Sequence, residues 1–129
     1  MAVRGATIGK TAFVSSEYAG FNINANLLRL KPNHKVLDGK FFWYFMKSAL
    51  GQNQFQQLVT STAKQTITVP NLKSIQVPVP PLEEQRRLVA YLDGLQAQVS
   101  ALRAAQSETG KALSALMPSV LDRAFKGEL

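Results

Sequence analysis

The spacing of apolar side chains changes character once along the chain, at a cluster of prolines. After Pro81, apolar residues recur at Leu88, Leu92, Leu95, Val99, Leu102, Leu113 and Leu116 in steps of four and three, with Gln106 and Thr109 at the two intermediate positions. Seven of the nine heptad sites are apolar, and a stripe of that length predicts a helix that needs an apolar partner helix. Pro81 suits the first helical position, and Glu83 and Glu84 favour the positive end of the helix dipole. Gly94 and Gly110 each cost about 1 kcal/mol relative to alanine, so partner packing has to hold this helix. Pro118 predicts a kink or an end, with one further turn or two before a stop at Gly127.

Ahead of the prolines the pattern is shorter and mixed. Ala12–Val14 and Ile23–Leu30 read as short strands broken by polar turns, and Lys31-Pro32-Asn33 ends the second. Asp38-Gly39 offers a turn or cap, and Phe41–Leu58 is a helical stretch divided at Gly51. From Thr66 the residues return to β-branched types. There Ile75, Val77 and Val79 alternate with Gln76 and Pro78, which predicts an edge or terminal strand. The expected fold class is α+β: a small mixed domain over residues 1–80, then a long C-terminal coiled-coil helix over 81–129.

Charge sharpens that division. The chain of 129 residues carries +7 with a pI near 10.0. Residues 1–80 hold nine Lys or Arg against Glu17 and Asp38, so nine minus two gives +7, while residues 81–129 hold six of each sign and are neutral. A basic part joined to a neutral part predicts phosphate binding by the first and an electrostatically indifferent task for the second. There is no cysteine, which excludes disulfides, thiolate metal sites and a cysteine nucleophile. With no run of eighteen apolar residues and nothing like a signal peptide, the expected address is the cytoplasm, away from the membrane. His34 sits in the polar loop PNHK and reads as solvated.

The run from Thr62 through VPNLKSIQVPVPPLEEQRRLVAYLD to the terminal LDRAFKGEL closely resembles the second half of a DNA-recognition unit in the specificity subunits of type I restriction–modification systems. The resemblance extends to GATIGKTAFV and NINANLLRL, and the PPLEEQRR junction is its most specific part. It implies a target-recognition domain that reads double-stranded DNA, followed by a long helix that pairs with a counterpart and docks the methyltransferase subunits. In that family the domain begins well before the segment that GATIG resembles, so the resemblance implies part of one recognition domain. Members pair two such helices within one polypeptide. A single copy would then pair with a second molecule as a homodimer, antiparallel to restore the two-fold arrangement. Its interface would be Leu88, Leu92, Leu95, Val99, Leu102, Gln106, Leu113 and Leu116, with the two domains about a turn of duplex apart.

Other motifs have duller readings. Gly5-Ala6-Thr7-Ile8-Gly9-Lys10-Thr11 is one residue short of a phosphate-binding loop and lacks the flanking strand and helix. It reads as a tight turn, with Arg4 and Lys10 available to a DNA backbone. Glu17 with Asp38-Gly39-Lys40 loosely matches a metal-dependent nuclease, but Asp-Gly is a turn former ahead of a helix. The block Phe41-Phe42-Trp43-Tyr44-Phe45 could stack unpaired bases but reads mainly as core. Within Ser61–Thr66, Lys64 and Gln65 suit guanine and adenine edges and the Thr62 hydroxyl suits a phosphate, against the plainer reading of a surface turn. The DNA-binding candidates are therefore Arg4, Lys10, Lys31, Lys35, Thr62, Lys64, Gln65 and Asn71. No catalysis, cofactor or metal is expected of the chain itself. The rival readings are an interaction-only subunit that no longer reads DNA and a small metal-dependent nuclease.

Overall fold

The N-terminal segment closes on itself through glycine. In the computed structural model, which describes residues 1–18, 20–59 and 66–127, Gly5 and Gly9 adopt φ of 81° and 82°, a region open to glycine without a Cβ penalty. The loop returns so that the Ala2 amide donates to the Lys10 carbonyl at 2.8 Å and the Gly9 amide donates to the Ala2 carbonyl at 3.0 Å. Three inter-segment bonds then tie the N-terminus down: Val3 N–H to the Asn26 carbonyl, Leu28 N–H to the Met1 carbonyl and Ile67 N–H to the Val3 carbonyl.

These pairings do not grow into strands. Among the described residues there are only two isolated bridges, Ala2 with Leu27 and Arg4 with Thr66, so the strands of the α+β expectation are not found there, and the described residues are mainly helical with the expected long C-terminal helix. Local side-chain bonds explain the difference. In the segment expected to be a strand at 23–30, the Asn24 side chain accepts from the Asn26 amide at 3.0 Å and the Leu27 amide turns back to the Asn24 carbonyl. At 66–79, the Thr68 hydroxyl caps a short helix, α3 (Val69–Leu72), with Pro70 in its first turn. The stretch from Ile75 to Pro80 joins no β-ladder: prolines at 78 and 80 have no amide to give one, and the Gln76 amide and carbonyl are taken by the Gln54 side chain at 2.8 and 3.0 Å.

Two further helices precede α3: α1 (Gly39–Lys47) and α2 (Ala49–Leu58). They meet at Ser48 and not at Gly51. The Ser48 amide donates to the Phe45 and Tyr44 carbonyls, ending α1, while its hydroxyl accepts from the Gly51 amide at 3.2 Å, starting α2. Gly51 is needed for packing: a Cβ there would lie 2.3 Å from the Phe45 carbonyl oxygen.

The chain divides into two bodies, Met1–Val89 and Ala90–Leu129. The first holds a core of Val3, Phe45, Met46, Phe55 and Ile67, with Leu28, Leu30, Phe42, Leu72 and Ile75 packed against it. Gln52 secures the glycine turn to this core by donating to the Met46 carbonyl at 2.6 Å and the Gly9 carbonyl at 3.3 Å. The second body is the remainder of the long helix α4 (Leu82–Phe125), which at 1.5 Å per residue is about 66 Å long. Pro118 neither ends it nor separates a final turn, because the helix continues to Phe125. No described residue of the second body is buried, and every described side chain from Gly94 to Gly127 is exposed.

Candidate nucleic-acid interface and the junction with the arm

The described cations that precede α4 lie on irregular backbone and helix ends. Arg4 is exposed and sits opposite Thr66 in the second isolated bridge. Lys10 is exposed at the close of the glycine turn, and Lys35 at an Asx turn in which Asn33 accepts its amide at 3.1 Å. Lys31 lines a groove of about 390 Å³ together with Arg29 and Lys73, all three exposed, between apolar residues that include Leu28, Leu30, Phe42 and Ile75. Asn71 is half-buried within α3, its amide held by the Thr68 hydroxyl at 3.4 Å. Thr62, Lys64 and Gln65 lie outside the described residues. The structure therefore brings Lys31 together with Arg29 and Lys73, two cations that reading by segment passed over. Their signal was the net charge of residues 1–80, which identified a basic body without grouping its members.

Three cations around one groove create a positive surface that suits a polyanion held by phosphate contacts. The aromatic block serves a different purpose. Phe45 is buried and Phe42 packs on the core. Trp43 is half-buried, with its ring 4.9 Å from Tyr44, 6.3 Å from Phe13 and 4.5 Å from the Lys47 ammonium. Such neighbours favour a packed ring and a cation–π contact over base stacking.

The glycine loop and the acid pair are likewise occupied. The Ile8, Gly9 and Lys10 amides donate to the carbonyls of Gly5, Ala2 and Thr7, so these amides cannot cradle a phosphate as a nucleotide-binding loop requires. One carboxylate oxygen of Asp38 accepts from the Lys40 and Phe41 amides, both at 2.9 Å, and caps α1. Glu17 accepts from the Ser15 hydroxyl at 2.6 Å. Among the described residues no three His, Cys, Asp or Glu side chains form a group able to hold a metal ion.

The best-defined polar site is the junction itself. Pro81 immediately precedes α4, and its carbonyl accepts the first helical bond from the Gln85 amide at 3.1 Å. The Gln85 side chain is fully buried. Its Oε1 accepts from the Asp38 amide at 2.8 Å, and its Nε2 donates to the Val36 carbonyl at 2.9 Å and the Pro80 carbonyl at 2.7 Å. One amide thus joins the first turn of α4 to the proline segment and to the loop that caps α1, with both amide hydrogens used. Around it the first turn is ordinary surface: Glu84 accepts from exposed Arg87 at 2.6 Å, a pair screened by solvent and of little consequence for stability.

Along α4 the heptad residues present apolar surface. Leu88 and Leu92 are half-buried, while Leu95, Val99, Leu102, Leu113 and Leu116 are exposed, Leu102 and Leu113 each by 64%. Val120, Leu121 and Phe125 extend the apolar character toward the C-terminal end of the helix. No helix among the described residues is both long enough and apolar enough to cross a membrane.

Comparison with known proteins finds relatives over most of the chain. The chain is 27% identical over 122 residues to the EcoBI specificity subunit of Escherichia coli, covering 95% of this chain and 26% of that protein. It is 31% identical over 100 residues to the EcoKI specificity subunit of E. coli K12, covering 78% and 21%. With the StySPI specificity subunit of Salmonella potsdam it shares 26% over 105 residues, covering 81% and 23%. The chain thus spans about a quarter of the length of these curated relatives. No solved structure matches it significantly. The family described as the type I restriction modification DNA specificity domain matches residues 1–109, and the chain belongs to that family.

Proposed function

We propose that the chain is a DNA sequence-specificity module of a type I restriction–modification system. Residues 1–80 read double-stranded DNA, and residues 81–129 are the arm that docks methyltransferase subunits or a second copy of the chain. The observation that carries this reading is the confinement of the whole +7 to residues 1–80, with Arg29, Lys31 and Lys73 gathered at one groove, on a chain of this family. The Asp38 carboxylate is committed as a helix cap, and the described residues offer no metal cluster. In this reading catalysis belongs to partner subunits, as the resemblance to specificity subunits implies.

In this reading Lys31, Lys35, Arg4 and Lys10 hold phosphates, while Lys64 and Gln65 contact base edges. The arm pairs as an antiparallel homodimer through its heptad stripe, whose residues beyond Leu92 have no cover within their own chain. The experiment is fluorescence anisotropy of duplex DNA titrated with the full chain at increasing salt. If roughly four to six phosphates are contacted, affinity falls about 100- to 2,000-fold between 50 and 200 mM salt. Salt-insensitive binding, or equal binding by a fragment beginning at Leu82, refutes the DNA-reading assignment. Absence of DNA binding combined with retained capture of a methyltransferase subunit leaves the interaction-only reading in its place.

A further inference from the structure

Building on the self-pairing proposed above, we infer that two copies meet in one antiparallel register. In it Gln106 faces Thr109 of the second copy at the two-fold axis, and the polar pair sets the alignment. The stripe alternates between two classes of heptad position: Leu92, Val99, Gln106, Leu113 and Val120 in one, and Leu88, Leu95, Leu102, Thr109 and Leu116 in the other. An antiparallel pair sets a residue of one class against a residue of the other. With Gln106 opposite Thr109, Leu102 falls opposite Leu113, Val99 opposite Leu116, and Leu95 opposite Val120. Polar then meets only polar, these apolar sites meet only apolar sites, and Arg123 falls opposite Leu92 at the outer end of the stripe, where its long side chain can reach solvent.

Neighbouring alignments lose this match. A shift of one heptad in one direction sets Gln106 against Leu102 and Thr109 against Val99. A shift in the other direction sets Gln106 against Leu116 and Thr109 against Leu113, and moves Arg123 one layer inward, from Leu92 to Val99. Each leaves a desolvated amide or hydroxyl facing an aliphatic side chain, which costs more than pairing the polar groups with each other. Charge does not choose among them, because the positions flanking the stripe from Leu88 to Val120 hold a single ionised residue, Arg103.

The hydroxyl geometry separates antiparallel from parallel pairing. Thr109 Oγ1 donates its proton to the Ala105 carbonyl of its own helix at 2.9 Å, so it offers a neighbour only acceptor lone pairs. A parallel pair would bring two such acceptors face to face. The antiparallel register brings the Gln106 amide of the second copy to the same oxygen, donor to acceptor. The surroundings leave room for that approach: Ala105 and Ala112 flank the layer on one side and Gly110 on the other. A Cβ at Gly110 would meet nothing of its own chain within 4 Å. A parallel pair would also attach both +7 segments at the same end of the arm, whereas the antiparallel one attaches them at opposite ends.

The native chain has no cysteine, so disulfide trapping of exposed positions reads the register directly. Full-length Leu102→Cys and Leu113→Cys chains, one carrying a size tag, are mixed under a glutathione redox buffer. The expected product is the disulfide between positions 102 and 113, exceeding either self-linked species by about tenfold. Predominant self-linking of Leu102→Cys indicates a parallel pair, and preferential linking of Leu102→Cys to Gln106→Cys or Val120→Cys indicates a shifted one. Either overturns the register. Sedimentation of the uncrosslinked native chain separates the two levels. A monomer at tens of micromolar refutes self-pairing itself, and a dimer without the 102–113 link refutes only the alignment. The double variant Gln106→Leu, Thr109→Leu should remain dimeric and spread its cross-links over several registers. If it keeps the single 102–113 product, the polar layer is not what sets the alignment.

Discussion

Replacing Gln85 with leucine tests whether one buried amide fastens the start of α4 to the loop ahead of α1. The side chain is fully buried and makes three hydrogen bonds of 2.7 to 2.9 Å with the Asp38 amide and the Val36 and Pro80 carbonyls. Leucine fills a similar volume but leaves those three backbone groups without the partner. Each forfeited bond costs about 0.5–1.5 kcal/mol when water can reach the freed group and about 1–3 kcal/mol when it cannot. The Val36 side is open, since that residue is 54% exposed, so its carbonyl re-solvates at small cost. We therefore predict a total loss of about 2–5 kcal/mol, a large fraction of the stability of a small domain, read as a lowered urea midpoint. Gln85→Glu adds a signature that simple packing loss would not. One oxygen of the introduced carboxylate can accept from Asp38, but the other faces two carbonyls in a buried site, so the folded state raises the pKa of that carboxyl above its unfolded value near 4.3. A raised carboxyl pKa makes the penalty full above the folded pKa and absent below the unfolded one. The deficit of the glutamate variant relative to Gln85→Leu should therefore shrink as pH falls from 7 toward about 4. Exposed Glu83→Gln, the control, should stay within about 0.5 kcal/mol of the native chain. A Gln85→Leu chain as stable as that control would refute the reasoning.

Gly51→Ala should destabilise the first body by at least about 2 kcal/mol in thermal or urea unfolding, because its Cβ would sit 2.3 Å from the Phe45 carbonyl oxygen in a buried corner; an unchanged midpoint would mean that the corner relaxes freely. Asp38→Ala should cost about 1 kcal/mol through loss of the α1 cap while Asp38→Asn costs little, since asparagine also caps; magnesium-dependent DNA cleavage abolished by both would instead revive the nuclease reading. The Met1 ammonium donates to the Leu28 carbonyl at 3.0 Å, but burial holds its pKa below the ordinary value near 8. The unfolded chain therefore binds the proton more readily, so stability should rise with pH through the window just below 8 and level off above it, and N-terminal acetylation should abolish that slope.

The arm was legible in the sequence because helical periodicity is a local property: the start near Leu82 and the exposed stripe both follow from spacing and from the prolines before them. Of the two outcomes expected at Pro118, a kink or an end, the end does not occur: the helix runs on to Phe125, just short of the stop expected at Gly127. The strands failed for a local reason. Asn24 and Thr68 can bond their own backbone within three residues, and such bonds compete with a ladder whose partners lie far away in sequence. Helix division at Gly51 mistook a packing requirement for a break, since the capping chemistry belongs to Ser48. Gln85 was invisible because a glutamine among Glu83, Glu84, Arg86 and Arg87 has the composition of a solvated turn; only the tertiary approach of residues 36–38 buries it. The grouping of Arg29 and Lys73 with Lys31 is likewise tertiary, although their sign was counted correctly.

The shared Ser48 cap leaves no slack between α1 and α2. One residue closes the first helix and opens the second, so the two helices form a single phase-locked unit. Inserting or deleting one residue there would turn the face that carries Phe55 by about 100° relative to the one that carries Phe45 and Met46. Lys31 lies on irregular backbone outside these helices, and such loops tolerate changes in length. The body thereby combines a helical corner whose residue count is fixed with irregular backbone that can vary in length, so changes in the latter need not disturb the corner on which the core is packed.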